Sequence, residues 1–230
     1  GKPFINLLPL DEGETITTVM KLPECEDDCK DMSIMFATSQ GNVRRNSLMD
    51  FVNVQSNGKI AMKLDEGDKL INVRICHEDN DIMLAARSGK CIRFPVTDVR
   101  VFVGRNSTGV RGIKLAEGDE VISMSILLHS DATSEERDEY ARIASAIKRI
   151  SAERGDDSCV SPEDTGLLNV LTTEKYKEMA EREQFILSVT STGYGKRTSS
   201  YEYRVTGRGG QGIALSLIHI SEPTRLALIS

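Results

Sequence analysis

Tryptophan is absent from this 230-residue chain, and aromatic residues make up only 5% of it. Aromatic platforms that stack on unpaired bases therefore have little material to be built from. No apolar run reaches the roughly 18 residues that cross a bilayer, and no signal segment opens the chain. We therefore expect a cytoplasmic protein without membrane contact. The five cysteines are odd in number and scattered, which suits a reducing compartment.

The excess of acidic residues is confined to one segment. The chain has a formal net charge of −6, which is unusual for a protein that binds DNA. Residues 129–183 contain fourteen Asp and Glu against eight Lys and Arg, and this segment accounts for the whole imbalance. The remaining residues contain 21 of each sign. The net charge therefore does not exclude a polyanionic partner for the rest of the chain.

Two motifs recur in step along the sequence. An acidic Leu-x-Glu-Gly motif begins at Leu10, Leu64 and Leu115, so its copies are 54 and 51 positions apart. The second motif is an apolar run followed by a turn glycine and, four residues later, an arginine. Its copies end in Gly41 with Arg45, Gly89 with Arg93, and Gly193 with Arg197. Three copies of two motifs in step indicate a repeat architecture.

Each repeat alternates short apolar runs with glycine turns. Residues 33–38 and 81–86 have the length and composition of strands, and they lead through turns into second strands at residues 43–45 and 91–94. Several short strands in a unit of about 50 residues are typical of a blade in a propeller-like β array. The sequence therefore predicts a mainly β fold built from such blades.

A segment of different character, residues 129–183, interrupts the third repeat. Its apolar residues Tyr140, Ile143, Ala144, Ile147 and Ile150 have helical spacing and predict a helix over 134–154. A second helix is predicted over 173–183, with Thr172 or Thr173 as N-cap. Because strands at 122–128 and 185–190 flank the segment, we interpret it as an acidic helical hairpin inserted between two paired strands. The simpler interpretation is a solvent-exposed insertion without a specific function, and a role in regulation or partner binding is the alternative.

Several strings closely resemble the C-terminal domain of DNA gyrase A subunits. They are Ile5-Asn-Leu-Leu-Pro-Leu, Gly58-Lys-Ile-Ala-Met-Lys-Leu, Asn106-Ser-Thr-Gly-Val-Arg-Gly-Ile-Lys-Leu and Thr192-Gly-Tyr-Gly-Lys-Arg-Thr. The resemblance covers residues 1–128 and 184–214, and the insertion resembles one in gyrase A from some alphaproteobacteria. It implies a partial β-pinwheel, from the end of the second of six blades through most of the fifth.

The resemblance also implies a function. In that family, double-stranded DNA wraps around the pinwheel rim, which directs an ATP-dependent type II DNA topoisomerase towards negative supercoiling. This chain would be a non-catalytic wrapping module without a cofactor of its own. The parent would be a gyrase A dimer that works with gyrase B and uses ATP and Mg. The family's basic heptapeptide is not found here, and its nearest likeness is residues 206–212, which keep Arg208.

Two alternatives stay open, the first because that heptapeptide is missing and the second because the blades carry no net charge. One is the corresponding domain in the A-type subunit of topoisomerase IV, and the other is a propeller-type scaffold for protein partners. The sequence offers no catalytic constellation, and Cys25 and Cys29 lack the second pair that a zinc site needs.

Basic residues recur at equivalent positions of the repeats, as neutralisation of phosphates along a curved rim requires. Those after the turn glycines are Arg44, Arg45, Arg93, Lys196 and Arg197. Those before the acidic motif are Lys59, Lys63, Arg111 and Lys114, and Arg105 and Arg208 belong to basic loops. We predict that these residues contact DNA.

The repeat pattern ends after Ala214. Residues 215–225 resemble a frame translation of a sequencing adapter, so we expect 215–230 to be a non-native tail outside the fold. The chain also begins within a repeat. We therefore expect it to be a piece of a longer protein.

Overall fold

A computed structural model of the chain describes residues 10, 13–25, 27–53, 58–104, 106–154, 160–215 and 224–229. Its strands are β1 Ser33–Thr38, β2 Asn42–Ser47, β3 Leu70–Cys76, β4 Asn80–Ala86, β5 Lys90–Pro95, β6 Val110–Arg111, β7 Val121–Leu128, β8 Phe185–Thr190, β9 Gly195–Ser199, β10 Ile213–Ala214 and β11 Thr224–Ile229. Its α-helices are α1 Ser134–Arg154 and α2 Thr173–Glu181. The mainly β prediction is confirmed. None of the described helices is long and apolar enough to span a membrane.

The strands form three antiparallel sheets, each built around one hairpin, and the hairpins of the first two sheets lie at the predicted residues. The first sheet has the order β3-β1-β2-β6, the second the order β7-β4-β5-β10, and the third the order β11-β8-β9. The chain completes the first sheet only with β6, after it has already formed the β4–β5 hairpin of the second. The second sheet is likewise completed by β10, which follows the hairpin of the third. Neighbouring blades are therefore interlocked through exchanged strands.

The strands β1 and β4 are buried along their whole length. Burial on both faces explains why they appear in the sequence as continuous apolar runs rather than as alternating patterns. The largest core cluster joins the first and second sheets and includes Met35, Phe94, Ile113 and Met124. The blades are thus held together by a shared apolar core as well as by strand exchange.

The aspartate that follows the acidic motif closes the hairpin turn in the first and second sheets. Asp68 accepts hydrogen bonds from the Ser39 hydroxyl at 2.8 Å and from the Gln40 amide at 2.9 Å. Asp119 occupies the same place in the next blade, where it accepts from the Ser88 hydroxyl at 2.6 Å and from its amide at 3.0 Å. Because a carboxylate satisfies donors in the turn, this motif has a structural reason to recur in step with the hairpins.

One predicted pairing is wrong. The strand β7 pairs with β4, with Leu127 opposite Asp81, and β8 pairs with β9 and β11 instead. The insertion therefore does not interrupt a hairpin. It lies on the connection between two blades, at the position where residues 77–79 join β3 to β4 one blade earlier. The order of strands in the chain suggests that neighbours pair, but in this fold the strand after the acidic motif returns to the preceding hairpin.

The two helices of the insertion form at the predicted residues, and α2 ends at Glu181. The Thr172 hydroxyl accepts from the Lys175 amide at 3.2 Å, which confirms Thr172 as the N-cap. Tyr140 of α1 packs edge-on against Tyr201, which follows β9, with 5.2 Å between ring centroids. The Tyr201 hydroxyl donates to the Met179 carbonyl at 2.9 Å. The insertion is therefore docked on the array rather than freely solvated.

The segment predicted to lie outside the fold contributes one strand. Residues Thr224–Ile229 form β11, which pairs antiparallel with the whole of β8. It occupies the edge that β3 and β7 occupy in the first and second sheets. Strand β11 therefore takes part in the third sheet, and the non-native origin of residues 215–230 stays a prediction.

Candidate nucleic-acid interface

The arginines that follow the turn glycines occupy equivalent positions in three successive hairpins. Arg45 pairs across its hairpin with Met35, Arg93 with Met83, and Arg197 with Leu187. Each arginine also contacts the residue that begins or nearly begins the first strand of its own hairpin. Those residues are Ser33, Asp81 and Phe185, respectively. The sequence repeat thus corresponds to a repeated structural position.

In two of these hairpins, the repeat arginine is buried. Arg45 is 4% exposed and donates from Nε to the Ser33 hydroxyl at 2.9 Å. Arg93 is 3% exposed and forms an ion pair with the fully buried Asp81 at 2.8 Å. It also donates to the Ser200 carbonyl at 2.7 Å. Burial lowers the pKa of Arg93, and the charge of Asp81 opposes that shift.

Arg44 is also buried, with no exposed surface. Its Nη1 donates to the carbonyl and the hydroxyl of Ser107 at 2.6 and 2.8 Å, and its Nε donates to Asn46 at 2.9 Å. Burial lowers its pKa. The sequence predicts that Arg44, Arg45 and Arg93 face DNA, but in this structure their guanidinium groups point to protein partners. Recurrence in the sequence does not separate a structural arginine from a surface one.

The bases that precede the acidic motif, together with Arg208, lie on exposed segments between blades. We call the exposed residues Lys59, Lys63, Arg111, Lys114 and Arg208 the basic ridge. Backbone hydrogen bonds join the three segments that carry them. The Lys63 amide donates to the Ser107 carbonyl at 3.3 Å, the Gly209 amide to the Gly112 carbonyl at 2.6 Å, and the Lys114 amide to the Gly210 carbonyl at 2.8 Å. The ridge is therefore a continuous feature that crosses successive blades.

Glycines allow these segments to approach the hairpins. Gly109 and Gly212 both have positive φ, at 88° and 72°, and each precedes a two-residue strand. A Cβ at Gly109 would overlap the Val43 carbonyl oxygen, and one at Gly212 would come within 2.5 Å of the Cys91 carbonyl oxygen. Close approach and a left-handed conformation together explain why both positions are glycine.

Two of the ridge bases are held by backbone carbonyls. The Arg208 guanidinium donates to the carbonyls of Asp98 and Arg111 at 2.9 and 3.1 Å, which fixes its position without neutralising its charge. The Lys59 ammonium donates to the Asp50 carbonyl. Such backbone bonds orient a cation, and an exposed cation so oriented can still accept a phosphate as counterion.

The other predicted bases fall in different surroundings. Arg197 is exposed, and its guanidinium stacks on the Phe185 ring at 3.7 Å from the centroid. Lys196 is half-buried. Arg105 lies outside the described residues.

Sequence reasoning missed two exposed arginines at equivalent positions. Val101 forms a parallel bridge with Arg45, and Val205 forms the same bridge with Arg93, so Arg100 and Arg204 are structural counterparts. Both are exposed. An Arg-Val pair, at residues 100–101 and 204–205, is the signal that could have revealed them.

Comparison with known proteins gives consistent results. Residues 33–77, 80–127 and 184–219 match the family described as "DNA gyrase C-terminal domain, beta-propeller". The DNA gyrase A subunit of Rickettsia bellii is 52% identical over 213 residues, which are 93% of this chain and 23% of that protein. The gyrase A protein of Granulibacter bethesdensis is 51% identical over 226 residues, 93% of this chain and 24% of that protein. The chain thus spans about a quarter of the length of these relatives.

Solved structures support the fold. The C-terminal domain of a DNA topoisomerase IV superposes with a TM-score of 0.68 at 17% identity, over all of this chain and 55% of that one. A DNA gyrase A C-terminal domain gives a TM-score of 0.63 at 19% identity, over all of this chain and 58% of that one. The likeness at this identity establishes the propeller-like fold, and the sequence matches establish the family. The chain belongs to the DNA gyrase C-terminal domain family.

Proposed function

We propose that this chain is the DNA-binding and DNA-wrapping module of a gyrase A protein, and that it directs strand passage towards negative supercoiling. The observation that supports this most directly is the basic ridge, which presents exposed cations on backbone-bonded segments of successive blades. The module itself contributes binding rather than chemistry.

The physical basis is phosphate neutralisation by bases held on an array of interlocked blades. A protein that releases counterions from DNA gains affinity without regard to base sequence. Bases fixed on successive blades favour DNA that bends along them, because each further contact offsets part of the bending free energy. The exchanged strands and the shared core make the spacing of the ridge segments a property of the fold.

The buried arginines have a different part in this proposal. Arg44 and Arg93 hold the segments by which the chain returns from the following blade, through the carbonyls of Ser107 and Ser200. Removal of either would change the positions of the surface segments rather than delete a phosphate contact. The proposed phosphate contacts are therefore the ridge residues, with Arg197 as a further exposed candidate.

For the whole protein, we propose the partners and reaction that the family implies. The parent would be a cytoplasmic gyrase A dimer that acts with gyrase B and uses ATP and Mg in catalytic parts outside this chain. The A-type subunit of topoisomerase IV is the second candidate, because the basic heptapeptide of supercoiling gyrases does not occur in this sequence.

The test compares two charge-matched triple variants of this chain in a DNA mobility-shift titration at several low salt concentrations. The ridge variant is Lys63→Gln, Arg111→Gln and Lys114→Gln. The control variant is Lys21→Gln, Lys30→Gln and Lys148→Gln, which removes exposed bases elsewhere. We expect the ridge variant to bind more weakly to any sequence and to flatten log affinity against log salt by roughly 0.9 per lost contact.

The outcomes separate the candidate functions. Equal binding by both variants and the parent, with one salt slope, would remove the ridge from the DNA interface. A parent that shows no salt-dependent DNA binding at all would favour the protein scaffold. The chain is then fused to the catalytic part of a gyrase A from which the C-terminal domain has been removed. Negative supercoiling by the fusion identifies a gyrase module, whereas relaxation alone favours the topoisomerase IV candidate.

A further inference from the structure

The segment that leaves the second sheet towards the ridge is fixed at both ends by a buried polar network. The Phe102 amide donates to the Arg45 carbonyl at 2.8 Å, and the Asn46 side-chain amide donates to the Phe102 carbonyl at 2.8 Å. Arg44 holds the other end through Ser107. Since Arg44 is fully buried, these hydrogen bonds fix Phe102 and Ser107 against the first hairpin.

The network also orients Arg100. Phe102 is 8% exposed, and two guanidinium groups contact its ring, with Arg44 at 4.9 Å and Arg100 at 4.4 Å from the centroid. A stacked guanidinium loses rotational freedom but keeps its five donors available at the edge. Arg100 is thus an exposed cation held in a fixed orientation.

A neighbouring residue, Val103, is 97% exposed. A single exposed apolar side chain is ordinary by itself, but the repeat shows that the fold does not require this one. The Thr206 amide donates to the Arg93 carbonyl as the Phe102 amide does to Arg45, so Gly207 is the counterpart of Val103. The next blade therefore forms with glycine, which has no side chain, at the position of Val103. The valine side chain therefore has no packing role, although hydrogen bonds on both sides of the preceding peptide unit hold the Phe102 backbone beside it.

We propose that Arg100 and Val103 enter the minor groove of the wrapped duplex, where Val103 presses against a base step. This inference rests on the proposed function. Wrapped DNA turns its minor groove inward once per helical turn, and arginines fill the groove at those points. Apolar side chains inserted between base steps unstack them and bend the duplex. Both groups flank Phe102 within four consecutive residues, and Ser107, a few positions further on, accepts a hydrogen bond from the Lys63 amide of the ridge.

The experiment measures DNA bending separately from the electrostatic contribution to DNA binding. Dyes at the two ends of a duplex much shorter than the persistence length of about 150 base pairs report the end-to-end distance by energy transfer at saturating protein. The variants are Val103→Ser and Arg100→Gln, and Val19→Ser is the control because Val19 is 66% exposed on another part of the chain. One duplex carries a flexible TA step at its centre, and a second carries a stiff A-tract.

We expect Val103→Ser to bind about tenfold more weakly to the TA duplex, to bend it less and to keep the parent's salt slope, because only an apolar contact is lost. We expect Arg100→Gln to flatten the slope of log affinity against log salt by roughly 0.9. Its loss of affinity should be largest on the A-tract duplex, whose narrow minor groove attracts arginine. Val19→Ser matches the parent. Unchanged bending and affinity in Val103→Ser overturn the inference, and so does a parent that binds through the ridge without bending DNA. A ridge variant that binds like the parent would instead contradict the proposed function.

Discussion

Arg93 and Asp81 form an ion pair buried within the second sheet, with 2.8 Å between Nε and Oδ2, at the position where Arg45 meets Ser33 one blade earlier. Asp81 also bonds His129, the first residue of the insertion, at 2.7 Å, and Arg93 bonds the Leu128 carbonyl at 2.9 Å. The blade next to the insertion thus pairs its arginine with a fully buried carboxylate, whereas Arg45 bonds the Ser33 hydroxyl and the largely exposed carboxylate of Glu78 at 2.9 Å. This buried pair therefore fixes the end of β7, where the insertion begins.

Arg93→Met should destabilise the chain by about 3–5 kcal/mol, because it leaves the buried Asp81 carboxylate without its main partner. Arg93→Met with Asp81→Leu should recover part of that loss, since no uncompensated buried charge remains. Urea titration followed by circular dichroism gives both values. Arg87→Gln is the control, because Arg87 and Glu120 form an exposed pair that contributes about 0–1 kcal/mol. A loss in Arg93→Met no larger than in Arg87→Gln would contradict the assignment.

Gly109→Ala should cost more stability than Gly118→Ala. Both glycines have positive φ, at 88° and 78°, so alanine is strained by about 1–3 kcal/mol at each. Only at Gly109 does a Cβ also overlap a backbone carbonyl, whereas nothing lies within 4 Å of a Cβ at Gly118. The overlap should add about 1–3 kcal/mol, measured as the difference in free energy of unfolding between the two variants. Equal losses would show that β6 does not pack against β2 as described.

The local elements of this fold are predictable from the sequence, and the long-range pairings are not. Strand β1 and helix α1 fall at the predicted residues because apolar runs, turn glycines and helical spacing are local signals. The predicted partner of β7 is wrong because pairing depends on which hairpin the chain returns to, and adjacent sequence does not encode that return. Local signals likewise assign no role to Asp68 and Asp119, whose contacts are 28 to 31 positions away.

The interface is predictable only in part, for a similar reason. The sequence repeat correctly identifies Arg45, Arg93 and Arg197 as equivalent positions, but it does not indicate whether each side chain is exposed. Arg93 is buried and pairs with Asp81, which lies diagonally across the hairpin, whereas Arg197 is exposed and stacks on Phe185 at the equivalent diagonal position. The difference follows from a single residue one strand away, which the arginine motif itself does not include.

The thiols of Cys76 and Cys91 should resist alkylation in the folded chain. Burial raises the pKa of Cys76 to about 11 and that of Cys91 to about 12, so near-neutral solution contains almost no thiolate of either. Cys25 is exposed and should react. Iodoacetamide treatment at pH 8 with peptide mass mapping, in a Cys159→Ser background, checks this. Rapid labelling of Cys91 before unfolding would mean that β5 opens more easily than its burial indicates.

Replacing residues 128–183 by a copy of residues 77–79 should leave the β array folded. The two links start and end in the same register, because Cys76 lies opposite Ser33 as Leu127 lies opposite Asp81 in the next blade. The short link therefore spans the same gap between the outer strand of one blade and the first strand of the next. Loop closure itself changes little in free energy with length. We expect cooperative unfolding in urea and retention of DNA binding with the parent's salt slope.

The deletion should nevertheless lower stability, because it uncovers Tyr201, which is 7% exposed beneath Tyr140. Loss of this burial corresponds to about 1.5–3 kcal/mol. Tyr140→Ala in the chain that keeps the insertion removes part of the same cover without altering the connection. It therefore separates the loss of packing on Tyr201 from the effect of the shorter link. If the deletion variant unfolds without cooperativity while Tyr140→Ala remains cooperative, the insertion is required by the blades as a connection. If both variants unfold cooperatively with similar losses, the insertion stabilises the array mainly as a lid over Tyr201.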